Sequence, residues 1–95
     1  MTAEVSVGRL LARYRAAAEN TSRQDAPDYY ANAYEVHSLF KMLRESREGR
    51  EGLSALMEDA DPHVRRWAAA HSMTWDREAA RIVLSTLDDQ ADAQP

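Results

Sequence analysis

Residues 53–73, LSALMEDADPHVRRWAAAHSM, decide the fold. Asp61 offers the short side-chain acceptor that starts a helix, and Pro62 follows at the first helical position, where its missing N–H costs nothing. Beyond that start Val64, Trp67, Ala68 and His71 recur at helical spacing and share one face. Ahead of it Leu53, Leu56 and Met57 form a second, shorter stripe that ends near Glu58. Two short helices joined by an Asp-Pro turn are the expected unit.

Working outward, Thr74 or Asp76 starts a further helix, with Glu78 in its first turn and Ala79, Ile82, Val83 and Leu87 on its stripe. After Leu87 the chain reads DDQADAQP, a disordered acidic tail over 88–95. Upstream, the charged run RESREGREG (44–52) holds Gly49 and Gly52, and a break at either ends the preceding helix. That helix runs from about Pro27 to Arg47, its apolar stripe being Tyr29, Ala33, Val36, Phe40 and Leu43, widened by Leu39 and Met42. TSRQDAP (21–27) is loop chemistry. Before it, Thr2 to Asn20 carry Val7, Leu10, Leu11, Tyr14, Ala17 and Ala18 as one stripe. The expected fold is therefore all-α: an antiparallel stack of about five helices in a single domain over residues 1–87.

Composition agrees. A chain of 95 residues is too short for two independent cores. At 44% hydrophobic and 29% charged it is neither disordered by composition nor a membrane span. Three glycines and three prolines are too few for a sandwich of short strands. The absence of cysteine removes disulfides, thiolate zinc sites and a thiol nucleophile. Glu4 and the arginines inside the first apolar stretch do not suit a signal peptide, so a cytoplasmic location is expected. Twelve basic and sixteen acidic residues give a net charge of −4, which argues against nucleic acid as the partner. The four arginines Arg65, Arg66, Arg77 and Arg81 lie in the last two helices, but the turn SMTWD lacks the usual glycine of a helix-turn-helix. Eleven arginines to one lysine (Lys41), with seventeen alanines, is a skew that suits helices and a GC-rich genome.

No pattern of catalytic residues stands out. The sequence holds no nucleophile elbow, phosphate-binding glycine loop or dinucleotide fingerprint, so no enzyme and no cofactor is expected. His37, His63 and His71 are dispersed and outside metal-ligand spacing; structural roles are expected, with His71 beside Trp67 at a helix C-terminus, where positive charge is favoured. Asp59, Asp61, Arg65 and Arg66 straddle a helix start, with Arg65 placed to bond back to Asp59 or to reach a neighbouring helix.

Two features suit protein binding. Tyr30, Tyr34, His37 and Lys41 follow one another at steps of four, three and four, a polar-aromatic stripe rotated from the apolar one. The middle of the chain, residues 28–61, carries eight acids and four bases, including Glu35, Glu45, Glu48, Glu51 and Asp59. Their structural alternative is a solvated face with half-buried tyrosines.

Residues 53–73 also resemble a HEAT repeat, through Asp59, Asp61, Pro62, Val64, Arg65, Ala68 and Ala69. Ser72 and Met73 stand where that repeat carries leucine, and Trp67 is bulkier than usual. HEAT repeats come in arrays, and this length holds at most two and a half. The wider layout over residues 7–87 is similar to a family of small bacterial proteins termed domain of unknown function two thousand and nineteen. The resemblance implies a compact HEAT-like bundle and carries no catalytic residues.

The function expected from these features is a non-enzymatic protein-binding module. Its specific form is an immunity protein or antitoxin that masks a basic cytoplasmic toxin, with Tyr30, Tyr34, Glu35, His37, Glu45, Glu48, Glu51 and Asp59 as the partner-binding set. The alternative is a small adaptor or self-associating structural protein, with Phe40, Trp67 and Trp75 forming a homodimer face.

Overall fold

Capping side chains set the helix boundaries. In the computed structural model, which describes residues 6–22 and 27–92, Ser6 accepts from the Arg9 backbone N–H at 3.1 Å and opens α1 (Val7–Asn20). Helix α2 spans Tyr29–Leu43, α3 spans Arg47–Ala55, and a 3-10 turn, Leu56–Glu58, follows. Asp61 Oδ1 accepts from His63 and Val64 at 2.8 and 3.1 Å and Pro62 begins α4 (Pro62–Ser72), the start expected from the sequence. Helix α5 covers Arg77–Asp92. The described residues are all-α, five helices without a strand.

Helices α1 and α2 run antiparallel. Arg13, seven residues before the end of α1, reaches Glu35, six residues after the start of α2. The molecule measures 55 × 34 × 19 Å, so its short dimension is about two helix diameters. Two apolar compartments fill it. The first joins Leu10, Tyr14, Ala17 and Ala18 of α1 to Val36, Leu39 and Leu43 of α2, Leu53 of α3 and Val64 of α4. Each fully buried Leu or Val there contributes about 1.5–3 kcal/mol. The second holds Met57, Ala68, Ala69 and Ala80, where small side chains bring α4 and α5 close together. Helix α4 belongs to both.

Four details depart from the sequence reading. Helix α2 ends at Leu43, and both Gly49 and Gly52 lie inside α3, because Ser46 caps it by accepting from the Gly49 N–H at 3.0 Å. The glycines serve close approach: a Cβ at Gly49 would run into the Leu43 carbonyl, and one at Gly52 into a Leu11 methyl. On α5 Leu87 is buried and Ala79 and Val83 pack against the second compartment, as expected, but the fully buried Ala80 lies outside the expected stripe and Ile82 is 61% exposed beside a groove of about 220 Å³ shared with Arg65, Val83 and Leu87. A side chain larger than alanine at position 80 would hold α5 off α4, which is why hydrophobicity alone does not find this position. Helix α5 also continues past Leu87 to Asp92. The expected start at Thr2 and the end of the acidic tail (93–95) lie outside the described residues, as does most of the loop before Pro27.

Candidate functional site

The stripe on α2 follows from helical geometry. At about 100° per residue, Tyr30, Tyr34, His37 and Lys41 fall within about 60° of arc, roughly 150° from the buried Val36, Leu39 and Leu43. All four are exposed, Tyr30 at 81% and Tyr34 at 77%. Tyr30 leans edge-on against Tyr29 with ring centroids 5.3 Å apart, which steadies its ring without covering it. Two large amphipathic rings thus stand on a rigid helix, apart from the core. Nearby, Arg44 lies over the Phe40 ring, its guanidinium carbon 5.3 Å from the centroid. Met42 is 48% exposed on the side of the stripe.

The expected acidic partners do not form one face. Glu35 accepts from Arg13 at 2.9 Å on the α1 side of α2. Glu45 and Glu51 sit beyond the other end of the helix, paired with Arg44 at 3.8 Å and Arg47 at 2.9 Å. Glu48 is exposed in the first turn of α3. Between residues 44 and 51 every glutamate has an arginine within two positions, so this corner carries little net field.

Asp59 belongs to the framework. Both of its oxygens accept from Arg15, at 2.8 and 3.1 Å, and Oδ1 also accepts from the Asp61 N–H at 2.9 Å. The Arg15 hydrogen bonds hold its carboxyl below the usual carboxylate range. Arg65 bonds back to this turn as expected, but to the carbonyls of Asp59 and Ala60 at 2.8 and 2.9 Å rather than to the carboxylate.

Behind the stripe lies an aromatic cluster that joins α1, α2 and α4. Tyr14 is fully buried, with its hydroxyl 2.7 Å from His71 Nδ1. Phe40 stacks on the His71 ring at 4.0 Å and 7°, and the rings of Trp67 and His37 each lie 5.7 Å from it. The indole of Trp67 donates to Thr21 Oγ1 at 2.9 Å, and that of Trp75 to Ser54 Oγ at 3.0 Å. His71 does sit beside Trp67 near the end of α4, yet burial pushes its imidazole down to about 4, with His37 adding to the shift. It is neutral at neutral pH: desolvation outweighs the helix terminus that favours charge. Phe40, Trp67 and Trp75 are all partly buried and packed against the core.

Of the sequence-predicted set, the structure therefore brings together Tyr30, Tyr34 and His37, with Lys41 completing the stripe. Glu35, Glu45, Glu48, Glu51 and Asp59 are scattered over other surfaces. Among the described residues no helix is long and apolar enough to cross a membrane. The chain matches no family model, no curated protein and no solved structure.

Proposed function

We propose that this chain is a non-enzymatic protein-binding module whose docking face is the outer stripe of α2. The observation that carries this reading is the exposure of Tyr30 and Tyr34, 81% and 77%, at consecutive turns of a helix whose other face is anchored in the core. Tyrosine supplies large contact area with few rotatable bonds, which is why it is enriched at protein interfaces. The specific role proposed is that of an immunity protein masking a toxin in the cytoplasm. A net charge of −4 supports it, since acidic masks meet basic toxins quickly. The likeness of residues 53–73 to a HEAT repeat belongs to the same proposal, as a helical scaffold presenting a binding surface.

Co-purification of the tagged chain with the product of a gene adjacent to its own tests this. The expected result is a complex with a protein that is toxic when expressed alone, lost in the Tyr30→Ser/Tyr34→Ser double variant. Absence of any such complex, with normal growth of cells lacking the chain, overturns the toxin-masking role. A complex that survives the double variant removes the stripe as its docking face.

A further inference from the structure

The order of residues along the α2 stripe is self-complementary. Tyr30, Tyr34, His37 and Lys41 are spaced four, three and four apart, the spacing of the seam residues of a two-helix coiled coil. They span about 16 Å of helix axis. Two phenol rings occupy the N-terminal half, and an imidazole and the chain's single lysine the C-terminal half. In two antiparallel copies related by a two-fold axis between positions 35 and 36, Tyr30 meets Lys41 of the second copy and Tyr34 meets its His37. Each ammonium then faces a ring, a favourable cation–π arrangement, and no two like charges oppose each other. The residues flanking the stripe on its two sides, Ala33 and Ser38, are small and pair under the same two-fold, so the helices can approach. The parallel alternative sets Lys41 against Lys41.

We infer that the outer face of α2 binds a second copy of this chain, the two α2 helices antiparallel, with Tyr30 against Lys41 and Tyr34 against His37. The inference rests on the reading of this stripe as a protein-binding face: a second copy covers it in the free chain, and the proposed toxin would displace that copy. Four side chains from each copy make a small interface, so the dimer is weak and reversible. Tyr30 and Lys41 are exposed and outside both apolar compartments, so substitutions at these two positions are expected to leave the fold intact.

Sedimentation equilibrium from micromolar to millimolar chain concentration tests the inference, with helicity followed by circular dichroism. The expected result is a rise from the 10.7 kDa monomer towards twice that mass. Tyr30→Lys and Lys41→Glu, taken singly, each weaken association at least tenfold, the first by opposing two cations and the second by placing a carboxylate on a ring face. The double variant Tyr30→Lys/Lys41→Glu restores it, because the antiparallel register then pairs opposite charges. A monomer at every concentration overturns the inference, as does a dimer indifferent to these variants or one that the double variant fails to restore. The binding reading itself is judged separately, by whether Tyr30→Ser/Tyr34→Ser abolishes capture of the neighbouring gene's product. A strictly monomeric chain that loses that capture keeps the binding face and loses only the second copy.

Discussion

The hydroxyl of Tyr14 on α1 and Nδ1 of His71 on α4 lie 2.7 Å apart, fifty-seven residues distant in the chain and at the edge of the core. This bond gives a buried phenol its polar partner and sets the orientation of the imidazole on which Phe40 stacks. Tyr14→Phe removes the hydroxyl and leaves Nδ1 without that partner. The expected loss is about 1–2 kcal/mol of unfolding free energy, read from urea denaturation with an unchanged slope. A variant as stable as the parent would show that the bond contributes nothing net.

The same histidine makes stability depend on pH. Its imidazole titrates near 4 when folded and near 6.5 in the unfolded chain. The unfolded state therefore takes up the proton first as pH falls. Stability from this group is fully present above about pH 6.5, declines from there to about pH 4, and is flat below. The loss is on the order of 2 kcal/mol, allowing for the partial exposure of the ring. Unfolding free energy at pH 7 and pH 4.5, compared with that of His71→Phe, isolates the effect: the variant's dependence over this interval should be clearly shallower. Equal slopes would mean that other groups govern the acid response.

The glycines of this chain are not equivalent. Gly49→Ala brings a methyl group against the Leu43 carbonyl, which has no flexible side chain to move aside. It is expected to destabilise by about 2 kcal/mol despite alanine's better helix propensity. Gly8→Ala in α1 meets nothing within 4 Å and should stabilise by up to about 1 kcal/mol. Thermal midpoints moving in opposite directions for the two variants would confirm that packing alone distinguishes them.

Asp59→Ala should cost about 1–3 kcal/mol, since it removes the acceptor of two Arg15 bonds and of the Asp61 N–H that positions the α4 cap. Partner capture should be unchanged once the variant is studied well below its melting temperature. Weakened binding by a folded Asp59→Ala chain would return this acid to the docking surface.

Periodicity and capping chemistry made much of this fold readable. The start of α4 at Asp61-Pro62, the buried stripe of α1 and the polar stripe of α2 are local patterns, and each is found where its spacing puts it. Local patterns failed where the deciding neighbour is far along the chain. Gly49 and Gly52 look like helix ends until Leu43 and Leu11 are seen to press on them. Ala80 is inward and Ile82 outward because α5 must approach the alanines of α4 closely. His71 stays neutral because Tyr14, Phe40 and Trp67 surround it, and its place near a helix terminus carries no hint of them. Charge counting has the same limit: along residues 28–61 it does not reveal that Glu35 and Asp59 are bonded to α1 arginines.

The sharing of α4 between two apolar compartments sets an order of opening. Helix α5 contributes Ala80 to the second compartment and no buried residue to the first. It can peel away while Tyr14, Val36 and Leu53 stay packed, so its amides should exchange with solvent through a lower-energy excursion than those of α1 and α2. Helix α4 cannot leave without dismantling both compartments, and its amides should exchange only when the whole chain unfolds. The α2 stripe lies on the slow-opening side, so whatever docks there meets a surface that holds its shape while the far end of the molecule breathes.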